Sequence, residues 1–206
     1  MKHSTQALGA LACVLAISCT TSPPAGGAAT AAPTLTANAA PASSPATSAA
    51  MPTAPPTPGS EDLVGKPAPD FTATAQDGST VHLLALKGKS VVLYFYPKDE
   101  TPGCTKEACS FRDAWASIAK TGAVLIGVSA DTTDSHKSFA AHYNLPFLLV
   151  TDADGSVGRS YGVPFRGHHA RQTFVIGPDG NVRKAYREVD VTVHAQQVLG
   201  DLTHPS

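Results

Sequence analysis

The sequence predicts an α/β domain over residues 61–206, a mixed central sheet flanked by helices and opened by an N-terminal β-hairpin. Three observations carry this expectation. Strand-length apolar runs alternate with stretches whose apolar residues recur at helical spacing. A late pair of short runs closes on Gly177-Pro178-Asp179-Gly180, a hairpin turn by composition. Charge is also confined to one part of the chain. Of the 15 Lys and Arg, 14 lie after residue 60, as do all 16 Asp and Glu. A domain of that length buries roughly two-thirds of its unfolded surface and needs no disulfide to fold.

Each element has its own warrant. Phe71–Ala75 and Ser79–Leu83 flank Gln76-Asp77-Gly78, which predicts the first hairpin. Ser90–Tyr96 is a continuous apolar and aromatic run, a strand buried on both faces, and Pro97 ends it. Thr105–Lys120 carries Ala108, Phe111, Trp115, Ile118 and Ala119 at helical spacing. Ala123–Ser129 is a second buried strand. Thr133–Tyr143 is a helix, capped by Thr132 or Thr133. Phe147–Thr151 is a third strand and Ser156–Tyr161 a short helix. Thr173–Ile176 and Val182–Arg187 form the late hairpin, and Val191–Leu202 closes the domain as a helix.

The first sixty residues belong to another class. Lys2 precedes an apolar run, Ala7–Ser18, that suits the core of an export signal and is too short to span a bilayer. It ends in Ala16-Ile17-Ser18-Cys19, which resembles a bacterial lipoprotein signal, so residues 1–18 are expected to be removed and Cys19 lipidated. The third residue before Cys19 is Ala where such signals prefer Leu. Residues 20–60 hold 13 Ala, 9 Pro and 8 Thr and no charge. Such a segment cannot bury enough surface to offset its ordering entropy. Residues 19–60 are expected to be a disordered, semi-stiff tether, its ends roughly 35 Å apart as a coil. This places the domain outside the cytoplasm, held to a membrane. The formal net charge of −1 leaves no basic excess for phosphates and argues against nucleic acid.

The chemistry concentrates at Cys104. It follows a buried strand and the turn Thr101-Pro102-Gly103, and it opens a helix. A thiol at a helix N-terminus faces unpaired N–H groups and the positive end of the dipole, which favour the thiolate. The same N–H groups can receive an oxygen anion. Cys104 is therefore sited to attack an electrophile that leaves as an oxyanion. Cys109 lies five residues on. Along an intact helix the two Cα atoms would be about 8.6 Å apart. A disulfide needs less than about 7 Å. Either the pair never forms, or it forms after local unwinding. Cys109 read alone is a small buried apolar residue.

Pro97-x-x-x-Thr101-x-x-Cys104 matches the peroxiredoxin active-site pattern, and Thr101-Pro-Gly-Cys-Thr-Lys-Glu-Ala-Cys-Ser-Phe-Arg-Asp113 resembles the peroxiredoxin Q, or bacterioferritin comigratory protein, subfamily. The likeness continues through Arg171-Gln-Thr-Phe-Val-Ile-Gly-Pro-Asp-Gly180 and covers most of 61–206. It implies a thioredoxin fold and a thiol peroxidase of the atypical two-Cys kind, in a monomer, with no cofactor. By the resemblance Cys104 is the peroxidatic cysteine and Cys109 the resolving one, joined as a Cys104–Cys109 disulfide. Thr101 would hydrogen-bond peroxide and thiolate, Pro97 would cover the site, and Arg171 would set a cation beside the sulfur. The implied partners are a peroxide and a thioredoxin-like dithiol reductant, which for an exported protein must be extracytoplasmic.

Other polar groups take plainer readings. His168 and His169 precede Arg171 closely enough to line the site mouth. Zinc is disfavoured because Cys104 and Cys109 have no second Cys/His pair at finger spacing. Asp152-Ala-Asp154-Gly155 lacks the later ligands of a calcium loop and reads as a turn and helix cap. Lys106 and Glu107 read as first-turn surface residues. Two further functions compete with the peroxidase. A disulfide oxidoreductase would use Cys-x-x-Cys, and four residues intervene here. A tethered, redox-sensing binding module draws support from the tether alone.

Overall fold

The computed structural model describes residues 63–204. The signal segment 1–18, Cys19 and the linker 19–60 lie outside the described residues. β1 (Thr72–Thr74) and β2 (Thr80–His82) pair antiparallel with Ala73 opposite Val81, and Asp77 Oδ1 accepts from the Ser79 N–H in the turn between them. A 3-10 turn, Leu83–Leu86, follows, which no sequence pattern marks.

The main sheet is mixed, as the sequence predicts. β3 (Val91–Phe95) lies parallel to β4 (Val124–Ser129) and antiparallel to β6 (Gln172–Ile176). β5 (Leu148–Thr151) and β7 (Val182–Tyr186) complete the order β5-β4-β3-β6-β7. Every residue of β3 is buried, because both faces of the sheet are covered. On one face Leu93 and Phe95 pack with Phe71 of the hairpin, Tyr161 and Phe174. On the other, Val92, Tyr94 and Tyr96 pack against α1 (Pro102–Lys120), α2 (Thr133–Tyr143) and α4 (His194–Thr203) through Phe111, Ile118, Phe139 and Val198. Gly127 makes room for this face, since a Cβ there would fall 2.7 Å from the Tyr94 hydroxyl.

Helix ends obey local chemistry. Thr132 caps α2 by accepting from the Ser135 N–H at 3.3 Å. Asn144 ends α2 in the left-handed region, its N–H turned back to the Ala140 and Ala141 carbonyls. Asp152 caps α3 (Ser156–Ser160) by accepting from the N–H groups of Val157 and Gly158, and Asp154 accepts from the Ser156 N–H. That stretch is the turn and cap the sequence suggests.

Three boundaries and burials differ from expectation. α1 begins at Pro102, not Thr105, because Pro suits the first helical position. Cys104 is thus inside the first turn rather than ahead of it. The buried stripe of α1 runs through Cys104, Glu107, Ala108, Phe111, Ala114 and Ile118, leaving Trp115 half-buried and Ala119 exposed. α4 begins at His194, not Val191, because Asp190 draws the chain into a turn by accepting from the Thr192 N–H and hydroxyl.

Candidate functional site

The site forms where β3 ends. Tyr96 and Pro97 leave the central strand, residues 97–101 form the connecting turn, and Thr101 is the cap position just before α1. The helix presents Cys104 inward, 2% exposed and packed with Tyr94, Tyr96 and Ala108. A Cβ at Gly103 would meet Arg171 Nη2 at 3.5 Å, an ordinary contact, so the turn before Cys104 brings the helix start up against the guanidinium.

Arg171 reaches the sulfur across 67 positions of sequence, and strand register explains how. Phe95 pairs with Gln172 in the β3–β6 ladder, so residue 171 stands opposite the end of β3. Side chains alternate along a strand, so Arg171 shares the α1 face with Thr173 rather than the hairpin face. Its Nη2 donates to Cys104 Sγ at 3.1 Å. Its Nη1 donates to Glu107 Oε2 in a short ion pair.

Glu107 corrects the sequence reading. It is not a surface residue but is 1% exposed, one helical turn from Cys104 on the same face. Its other oxygen, Oε1, is buried without a hydrogen-bond partner among the described residues. Burial outweighs the attraction of Arg171 and pushes the Glu107 carboxyl up to about 7. Burial also works against the charge on Arg171, but Glu107 and the Cys104 sulfur hold its guanidinium above the ordinary value. The signal for Glu107 was present in the spacing, since 104, 107, 108 and 111 fall on one helical face.

The remaining expected residues gather nearby. Thr101 Oγ1 donates to the Lys98 carbonyl at 3.0 Å. Its proton is committed there, so the hydroxyl can accept from a peroxide O–H but does not, in this rotamer, donate to the sulfur. Pro97 lines an open groove of about 520 Å³ together with Lys98, Asp131 and His168. His168 lines this groove beside Pro97, whereas Cys104, Thr101 and Arg171 are not among its lining residues. His169 does not line it. It is fully buried on the far side, its Nε2 3.1 Å from Asp152 Oδ2 but out of line for a hydrogen bond. Gly158 accommodates that ring, since a Cβ there would fall 2.5 Å from it.

Cys109 is half-buried where Cys104 is fully buried; both are free thiols on the same unbroken helix. The two thiols are thus together on one element, yet helix geometry keeps their Cα atoms beyond bonding distance.

A buried thiol receiving a hydrogen bond from a fixed guanidinium, at the N-terminus of a helix leaving a mixed sheet, is the arrangement of a thiol-based redox enzyme. Comparison with known proteins narrows this. A model of the AhpC/TSA family matches residues 64–185, and the chain belongs to that family. It is 45% identical over 148 residues to a putative peroxiredoxin of Coxiella burnetii, covering 68% of this chain and 97% of that one. It is 50% identical over 125 residues to the chloroplastic peroxiredoxin Q of Triticum aestivum, covering 59% of this chain and 58% of the plant protein. Among solved structures, peroxidoxin BcpB of Mycobacterium tuberculosis superposes with TM-score 0.64 at 35% identity, covering 68% of this chain and 96% of that one. Peroxiredoxin Q of Xanthomonas campestris gives TM-score 0.62 at 35% identity, covering 65% and 89%. The fold is therefore the thioredoxin fold, and the activity is that of a thiol peroxidase of the peroxiredoxin Q and bacterioferritin comigratory protein type.

Proposed function

We propose that Cys104 is the peroxidatic cysteine and Cys109 its resolving partner, in a monomer tethered outside the cytoplasm. The contact of Arg171 Nη2 with Cys104 Sγ carries this reading. The thiolate attacks one oxygen of the peroxide. An S–O bond forms and the O–O bond breaks, leaving cysteine sulfenic acid and an alkoxide or hydroxide that takes up the proton the thiol gave away. Arg171 is aimed at the charge spread over sulfur and oxygens in that transition state. Thr101 accepts from the peroxide O–H, and Pro97, which follows the end of β3, packs over the site and excludes water.

The helix then unwinds over its first turns. The Cys109 sulfur attacks the sulfenic sulfur, an S–S bond forms, and water leaves. A thioredoxin-like dithiol regenerates both thiols by exchange and is itself oxidised by two electrons. Both hydrogen peroxide and organic hydroperoxides fit this scheme. The leader adds place: removal of residues 1–18, a lipid on Cys19, and a tether that sets the domain off the membrane surface, where the reductant is an extracytoplasmic dithiol protein.

The test is peroxide consumption with a dithiol reductant, with insulin reduction run in parallel. Cys104→Ser is expected to abolish peroxide consumption, and retained activity would sink the assignment. Mass spectrometry of peroxide-treated protein should show a Cys104–Cys109 crosslink within one chain. Radiolabelled fatty acid and globomycin sensitivity test the anchor, and a soluble form with Met1 intact would exclude it.

A further inference from the structure

The loop that precedes Cys104 is fastened by a buried carboxylate that the scheme above does not use. Asp99 is 3% exposed. Its Oδ1 accepts from the Tyr96 hydroxyl at 2.7 Å. Its Oδ2 accepts from Ser135 Oγ at 2.8 Å and lies 2.9 Å from Nδ1 of His136, a fully buried ring. A carboxylate offers lone pairs only, so Nδ1 is the protonated nitrogen. The Asp99 N–H in turn donates to Asp131 Oδ2 at 2.9 Å, and that oxygen also accepts from Ser129 Oγ at 2.7 Å. One residue thereby joins the end of β3, the end of β4 and the first turn of α2. Burial opposes ionisation of Asp99, yet the bonds from His136, Tyr96 and Ser135 hold its carboxyl below the ordinary range.

What this anchor holds is the backbone that carries Thr101. The next residue, Glu100, has φ +59°, a left-handed conformation that costs a non-glycine residue energy and persists only where neighbours impose it. Thr101 follows, and its hydroxyl bonds back to Lys98 within the same loop. The anchor thus brackets a strained turn whose far end is the peroxide-accepting hydroxyl.

We propose that Asp99, seated on His136, is a positioning residue for peroxide reduction: it holds the 97–101 turn so that the Thr101 hydroxyl meets the substrate over the Cys104 sulfur. The proposal rests on the reading of Thr101 and Cys104 given above. It differs from a general packing role in one respect. Loss of the anchor should slow attack on peroxide, which needs Thr101, more than attack on an electrophile that does not.

The experiment measures two reactions of the reduced full-length chain: the first turnover with hydrogen peroxide, and alkylation by iodoacetamide, each followed at the Cys104 peptide. Displacing the hydroxyl by an ångström should matter greatly, so Asp99→Ala is expected to slow the peroxide step about thirtyfold while alkylation changes less than about threefold. Asp99→Asn keeps an acceptor oxygen and the side-chain shape, and should restore most of the peroxide rate. Ser135→Ala removes one bond and should lower the peroxide-to-alkylation ratio about fivefold, which decides the matter if Asp99→Ala does not fold. An unchanged ratio in these variants, or a parallel fall in both rates, overturns the proposal. Thr101→Val is the reference. If it is as fast as the unaltered chain, the reading beneath the proposal has failed; if it is slow while Asp99→Ala is fast, the anchor alone is refuted.

Discussion

Two buried carboxylates in this molecule sit against a basic partner and behave in opposite ways. Asp152, on the hairpin face, accepts from two backbone N–H groups and lies beside His169; burial raises its cost, but these partners hold its carboxyl below the ordinary range. Glu107, beside the sulfur, has Arg171 and one unpartnered oxygen, and its carboxyl rises to about 7. Both are almost fully buried. The difference lies in the count of donors. A scaffold carboxylate is saturated, and its removal costs stability. The carboxylate at the site is under-supplied, so its charge stays negotiable at neutral pH, next to the Cys104 sulfur.

The comparison can be broken most forcefully at Arg171. Arg171→Met removes the donor to sulfur, and the first turnover with peroxide should fall about 10²- to 10³-fold, the range for losing one preorganised donor to a developing charge. Stopped-flow tryptophan fluorescence, reported by Trp115 on α1, would measure it; a loss under tenfold would mean the guanidinium is structural. On the scaffold side, Asp152→Ala leaves the Val157 and Gly158 backbone donors without their acceptor. It should cost about 3 kcal/mol in urea denaturation, while the peroxide rate of the folded fraction stays within about twofold. A large rate loss there would erase the contrast.

Smaller effects sharpen it. Glu107 has a folded value above its unfolded one, so the folded state holds a proton that the unfolded state releases. Its contribution to stability is complete below about 4.5 and is lost as pH rises through about 7. Glu107→Gln should flatten that slope in denaturation midpoints between pH 5 and pH 8. His194 works in the opposite sense. Burial first, with the Arg171 charge assisting, lowers it from 6.5 to about 4, so it contributes stability above 6.5 that is lost as pH falls through about 4. His194→Gln should remove that acid-side loss and leave the Glu107 slope untouched. Smallest is the effect of Cys109→Ser on the first turnover: within about twofold, with disulfide formation absent, because in the proposed scheme Cys109 acts only after the O–O bond has broken.

Much of the fold was legible because it rests on local patterns. The doubly covered strands announced themselves as unbroken apolar runs, and Gln76-Asp77-Gly78 and Gly177–Gly180 marked both hairpins. Cys104 was legible from its place after a strand and turn. Arg171 entered through resemblance, because only the β3–β6 register, invisible in a linear reading, brings it to the sulfur. Glu107 was misread because an acidic residue in a first helical turn ordinarily faces water and the dipole. Here its ion pair with Arg171 kept it on the buried stripe. Asp99 and His136 went unremarked because their partnership spans 37 positions and three elements.

The pairing of Phe95 with Gln172 has a practical corollary. A slip of β6 by a single residue would swing the guanidinium to the hairpin side and offer a glutamine to the sulfur instead. Such a chain could remain folded by bulk criteria and still be inert. Turnover is accordingly a gauge of correct zippering between two strands nearly eighty residues apart, and it reads out assembly fidelity that spectroscopic measures of secondary structure would pass over.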